Sequence, residues 1–260
     1  MEILKIIFVT LLAGAGAGIG TGFAGMSAAA VITPMLTTFL GVDPYLAVGV
    51  ALASDVLASA VSAYTYAKNR NIDVKNGLVM LAAVLTFTVV GSFAASKLPP
   101  TTMGNFSVFM TFMLGIKFIV RPVMTTKDSM NSVPMKTRMI RSGLCGIVIG
   151  FICGFVGAGG GMMMLLLLTS VLGYELKTAV GTSVLIMSFT ALTGAASHFA
   201  IGGMPDLTIM LCSIVFTLIF ARLASKFANK AEPKLLNRLT GVVLVLLGVI
   251  IFGFRLLAGN

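Results

Sequence analysis

The chain has 260 residues, of which 58% are hydrophobic and 10% charged, with a formal net charge of +10, and its mean hydropathy is +1.06. A soluble domain carries about 25% charged residues, so no water-exposed surface can be assembled from this composition. The chain reads as one all-helical integral membrane domain surrounded by lipid bilayer, with no soluble domain beside it.

The N-terminus has one lysine followed by a hydrophobic run, as a short signal peptide does, but the internal repeat described below reaches back to Gly18 without a gap. The segment is therefore expected to be the first mature helix. Apolar stretches divided by polar punctuation predict ten helical segments, at 4–23, 27–40, 45–67, 77–97, 103–121, 139–156, 160–172, 177–200, 206–226 and 236–256. A polar stretch from Arg121 to Arg141, holding Pro122 and Pro134, separates two halves of five segments. The expected organisation is a transmembrane repeat over 1–121, a cytoplasmic connecting loop over 122–138 and a second transmembrane repeat over 139–260.

The halves are copies. A shift of 132 residues superposes Gly18, Gly22, Phe23, Gly25, Leu36, Thr37, Leu40, Gly41, Ala47, Val48 and Gly49 on identical residues, 11 matches in the 32 positions from 18 to 49. An odd number of segments per half turns the second half over in the membrane. The parity also holds if the first two segments of each half form a re-entrant hairpin. Either way the halves make an inverted repeat, a frequent construction among secondary transporters. Placing loops on alternate sides puts Lys68, Arg70, Lys75, Arg121, Lys127, Lys136, Arg138, Arg141, Lys177, Arg222, Lys226, Lys230, Lys234 and Arg238 together, against Lys5, Lys97 and Arg255 opposite. The positive-inside rule makes the crowded side cytoplasmic and both termini extracytoplasmic.

The same rule accounts for the basic balance without nucleic acid, which is not an expected partner. Cys145, Cys153 and Cys212 lie in apolar stretches without a CxxC pair, and neither a metal nor an organic cofactor is expected. A homodimer is compatible with the chain.

In each half a glycine-rich bend joins the first two segments: Gly20 to Ala30 (GTGFAGMSAAA) and Gly154 to Met162 (GFVGAGGGM). Irregular backbone at membrane depth survives only where it is buried in protein or lines a cavity. A helix starting just after such a bend aims free N–H groups and positive dipole at whatever lies there, which suits an anion. Glycine also simply permits close helix packing. Gly181-Thr182-Ser183 opens a helix after a short acidic loop, and its hydroxyls serve either an oxyanion or the helix's own carbonyls. Asp55 is the one carboxylate deep in a span, with Ser54, Ser59 and Ser62 nearby. An intramembrane acid costs about 2.5–3.5 kcal/mol on insertion scales and is functional by default, as a proton or cation relay; the plainer reading pairs it with Lys117 or a helix end. His198 ends its segment near the outer surface.

These motifs together, with Leu172-Gly173 and Ala179-Val180-Gly181-Thr182-Ser183 in half two and Pro34 in half one, resemble the sulfite exporter TauE/SafE family over nearly the whole chain. Half one departs in having Gly25-Met26-Ser27-Ala28-Ala29-Ala30 for the triple glycine and Val50-Ala51 for Thr-Ser. The resemblance implies a multi-pass permease of the inner or plasma membrane, not an enzyme, for a small sulfur-containing anion such as sulfite or an organosulfonate, ion- or proton-coupled. The expected substrate residues are Gly25, Met26, Ser27, Ala28, Gly157, Gly159, Gly160, Gly161, Thr182 and Ser183, with Asp55 for coupling. The alternatives are a cation or neutral solute held by Asp55, and an intramembrane hydrolase using Ser183 and His198. The hydrolase is disfavoured because the two residues lie about 22 Å apart on one helix at 1.5 Å per residue.

Overall fold

The computed structural model describes residues 2–95, 116–156 and 160–258. In order these form α1 (Glu2–Ala24), α2 (Ala29–Leu40), α3 (Pro44–Lys68), α4 (Val74–Ala95), a helical stretch at 116–120, the short α5 (Lys127–Asn131), α6 (Met135–Val156), α7 (Gly160–Ser170), α8 (Leu176–Gly202), α9 (Leu207–Lys230) and α10 (Pro233–Ala258). No strand occurs among the described residues. Five stretches, Ile3–Ala24, Tyr45–Lys68, Leu176–Ala200, Leu207–Lys230 and Pro233–Ile250, are long and apolar enough to cross a membrane. On α9 the outward stripe Leu211, Val215, Ile219, Leu223 and Phe227 is exposed, as a lipid-facing surface must be when no soluble coat covers it.

The predicted segments overlap α1 to α4 and α6 to α10 with bounds shifted by up to four residues; of the segment expected at 103–121, only 116–121 falls within the described residues, helical over 116–120. Two differences have local causes. The connecting loop contains α5, whose first turn is capped by Thr126 accepting the Ser129 N–H at 3.3 Å. Helix α6 begins at Met135 rather than 139, because its first turns carry Lys136 and Arg138, charges that conceal a helix start from a search for apolar runs.

Local chemistry sets the remaining boundaries. Asp43 caps α3, accepting the N–H groups of Tyr45 at 2.9 Å and Leu46 at 3.2 Å with Pro44 in the first turn, a favoured start. Helices α2 and α7 end alike: Gly41 (φ 64°) and Gly173 (φ 66°), 132 residues apart, both take the left-handed conformation. The next residues donate back to matching carbonyls, Val42 to Leu36 at 3.3 Å and Tyr174 to Leu168 at 2.9 Å.

Close packing relies on small residues. Gly14, Gly18 and Gly22 on one face of α1 lie against the backbone of α9 around Thr217, Ala221 and Ser225, where any Cβ would collide. Gly146 and Gly150 of α6 lie likewise against the α4 backbone at Met80 and Val84. Without a hydrophobic drive between helices in lipid, such approach supplies the dispersion contact that holds them. The principal pairings are α4 on α6, α1 on α9 and α3 on α8. The 132-residue shift exchanges the first two and maps the third onto itself.

Candidate functional site

The first bend is built by the end of α1. Gly25 adopts φ 60°, which halts the helix. The Gly25 N–H returns to the Thr21 carbonyl at 2.9 Å and the Met26 N–H to Gly20 at 3.3 Å. Two further carbonyls receive side chains: Thr21 donates to Met26 in the bend at 2.8 Å, and Tyr66 of α3 donates to Gly22 at the end of α1 at 2.8 Å. Met26, Ser27 and Ala28 are all buried. The bend is thus an ordered, enclosed piece of irregular backbone.

Ser27 is fixed by α3. Its hydroxyl donates to Asp55 Oδ2 at 2.8 Å, and Ser59, one turn along α3, donates to Asp55 Oδ1 at 2.9 Å. The backbone N–H of Ala28 is a third hydrogen-bonding neighbour of the carboxylate. Asp55 is almost completely buried. Lys117 does not pair with it; its ammonium donates to Thr169 at 3.1 Å and Ser170 at 2.5 Å, closing the C-terminus of α7.

In half two, Gly157 and Gly159 lie outside the described residues. Gly160 opens α7, and Gly161 is placed so that any Cβ there would strike the Gly25 carbonyl and the Met187 thioether. A Cβ at Gly25 would in turn fall on Ser183 Oγ. The start of α7, the first bend and the early turns of α8 therefore come together at Gly25, Gly161 and Ser183.

The hydroxyls of Thr182 and Ser183 have separate surroundings. Ser183 is buried beside the bend and donates to the Val180 carbonyl at 2.8 Å. Thr182 Oγ1 accepts the Asp73 N–H at 3.1 Å, so it faces the loop after α3 instead of the bend. That loop, residues 69–73, lies over the start of α8: a Cβ at Gly181 would meet the Asn71 carbonyl and Tyr66. It is strapped down from several sides. Asn71 donates to Asn229 at 2.6 Å and Lys127 to the Arg70 carbonyl at 2.9 Å. Asp73 accepts Tyr174 at 2.9 Å and Asn76 at 2.5 Å, and pairs with Arg138 at 3.5 Å. Burial, then the Asp73 charge, push the Tyr174 phenol above its ordinary range, so it serves as a neutral donor.

Asp73 and Tyr174 were not among the residues singled out by sequence, and Arg138 was named only as one of the cytoplasmic-side charges; the polar run Asn69-Arg70-Asn71 and the acid after it were the available signal. At the other end of α8, His198 stacks on Tyr45 with ring centroids 4.3 Å apart, and its Nδ1 lies 3.2 Å from the Tyr45 carbonyl. Ser183 and His198 thus serve opposite ends of the helix. Among the described residues no group of His, Cys, Asp and Glu is arranged to hold a metal ion.

Comparison with known proteins agrees with this architecture. The family model described as sulfite exporter TauE/SafE matches residues 10–251. The probable membrane transporter protein YdhB of Bacillus subtilis is 27% identical over 217 residues, covering 82% of this chain and 86% of that protein. The probable membrane transporter protein YunE of the same organism is 22% identical, covering 95% and 96% respectively. A probable membrane transporter protein of Methanocaldococcus jannaschii is 25% identical over 93% of this chain and 91% of its own. No solved structure matches the chain.

Proposed function

From the premise that the chain belongs to the sulfite exporter TauE/SafE family and is a multi-pass membrane transporter, we propose that it carries a small oxyanion, sulfur-containing as in sulfite or an organosulfonate, across the cell membrane in a cycle coupled to an ion or proton through Asp55. The halves act as an inverted repeat about an axis between α3 and α8, with both termini extracytoplasmic. The exchange of helix pairings under the 132-residue shift supports the two-fold relation of the halves, and the charge distribution supports the placement of the termini. The oxyanion sits beside the first bend at the start of α7, held by backbone N–H groups at 160–161 and by Ser183, with Met26 and Ala28 as apolar wall. The carrying observation is the convergence of Gly25, Gly161 and Ser183, which brings the first bend, the start of α7 and a hydroxyl to one buried point. Thr182 has a different role in this reading: with loop 69–73 over it, it belongs to the closure of the cytoplasmic end.

The test is a thermal-shift screen of purified protein against sulfite, thiosulfate, sulfoacetate, taurine and sulfate, followed by flux in proteoliposomes with the best ligand. Stabilisation by at least one sulfur oxyanion is expected, and its loss in Gly161→Leu. Stabilisation by cations or neutral solutes alone, abolished in Asp55→Asn, would favour a carrier that uses Asp55 as its ligand.

A further inference from the structure

The two halves put different side chains beside their second helices. In half one the start of α2 faces a carboxylate: Asp55 accepts Ser27 and Ser59, with the Ala28 N–H beside it. A helix N-terminus with converging donors is where an anion ordinarily binds; here the chain supplies that anion itself. The residue 132 positions on is Met187, whose thioether lies against Gly161 near the start of α7. Half two has an apolar, uncharged group at the matching place.

No cation neutralises Asp55 among the described residues. Of the elements packed on α3, α2 carries no charged residue. On α8, Lys177 donates to the Asn229 carbonyl and His198 faces Tyr45. Arg222, Lys226 and Lys230 of α9 and Lys5 of α1 lie towards the helix ends and make no ion pair with it. A lone buried carboxylate is held by hydroxyl and amide donors only, and like charge nearby disfavours its ionised form.

Resting on the reading of this convergence as an oxyanion site, we propose that Asp55 is the proton-binding group of a proton–anion cotransport cycle, an internal anion that takes up one proton when the substrate oxyanion lies where Gly25, Gly161 and Ser183 converge. The Gly25 carbonyl abuts Gly161, and Ser27, two residues on, holds Asp55, so both negative charges bear on one short stretch of backbone. Substrate binding raises the cost of keeping Asp55 ionised. A proton from water adds to one carboxylate oxygen, forming an O–H bond and a neutral acid, and no other bond changes. That acid gives up an acceptor and gains a donor, so Ser27 or Ser59 must turn its hydroxyl. Ser27 belongs to the bend, which makes it the residue through which protonation reaches the substrate site.

The experiment measures binding of thiosulfate or sulfoacetate, oxyanions that stay ionised throughout, to the full chain in nanodiscs near pH 5.5 and pH 8, with and without sodium. The wild type is expected to bind about ten-fold more tightly at the lower pH, within the usual range of coupling between sites. Asp55→Asn, a mimic of the neutral acid, should bind tightly and equally at both pH values. Asp55→Glu should keep the pH dependence, which covers the case in which Asp55→Asn fails to fold. Wild-type binding that is equal at both pH values, or that requires sodium at fixed pH, overturns the proton assignment and leaves the anion site standing. Absence of oxyanion binding at either pH overturns the site reading, and this inference with it.

Discussion

Gly25 and Ser183, 158 positions apart in sequence, approach so closely that a Cβ on the first would fall on the hydroxyl of the second. Gly25 also holds φ 60°, a conformation costing other residues about 1–2 kcal/mol. Gly25→Ala should therefore lower the melting temperature and abolish flux. Part of the loss is local strain and part is the collision, and Ser183→Gly removes only the collision. The double variant Gly25→Ala with Ser183→Gly should be more stable than Gly25→Ala alone. Additive losses in melting temperature would show that the two residues do not touch.

A second expectation concerns the strap over the start of α8. Tyr174 donates a neutral O–H to the Asp73 carboxylate, and a hydrogen bond to a charged group contributes about 1.5–3 kcal/mol. Tyr174→Phe and Arg138→Gln should both loosen loop 69–73. The readout is labelling of Thr182→Cys by a water-soluble thiol reagent. It should be slow in the otherwise wild-type background, where Asn71 and Asp73 cover the start of α8, and several-fold faster with either variant. Unchanged labelling would mean that the loop does not control access to Thr182.

Local features were legible from sequence where one residue type decides the backbone. Gly41 and Gly173 end their helices in the left-handed conformation, and the repeat had already paired them. Gly25 breaks α1 for the same reason. Asp55 stood out because a carboxylate in an apolar run is expensive. Of its two hydroxyl partners, Ser59 stood nearby on the same segment, but Ser27 was not legible: it lies 28 positions away, and only the approach of the first bend to α3 brings the two together. The Asp73 bond to Thr182 spans 109 positions, and no periodicity encodes it. The same blindness assigned Thr182 and Ser183 one role, since adjacent residues on a helix point about 100° apart at 3.6 residues per turn and here meet different neighbours.

Topology is open to direct measurement. The charge distribution predicts that α5 and the loop around it face the cytoplasm, while the C-terminus faces outward. A single cysteine at Ser129, exposed at the first turns of α5, should react with an impermeant thiol reagent only after cell disruption. One at Asn260 should react in intact cells. Protection of Asn260→Cys in intact cells would reverse the arrangement and, with it, the cytoplasmic position of loop 69–73.

The two serines at the first bend, Ser27 and Ser183, should separate affinity from coupling. Ser183 lies beside Gly25 with its one proton directed to the Val180 carbonyl, so its oxygen retains acceptor capacity and its hydroxyl can be redirected to a ligand at the cost of a back-bond. Such local bonds are weak competitors, and an oxyanion offers a stronger, charge-assisted acceptor. Ser183→Ala should therefore weaken oxyanion binding about ten-fold, equivalent to about 1.4 kcal/mol. Ser27 is committed elsewhere: its hydroxyl is used on Asp55 at 2.8 Å, and its oxygen lies 3.4 Å from the Ala29 N–H. Ser27→Ala should change affinity at low pH by less than Ser183→Ala does, because a neutral Asp55 needs no donor there. At high pH it leaves the ionised carboxylate one donor short, so the pH dependence of binding should change while the limiting affinity does not. Titration calorimetry across pH on both variants distinguishes the cases. Equal losses in the two variants at every pH would make the site symmetric in spite of its sequence.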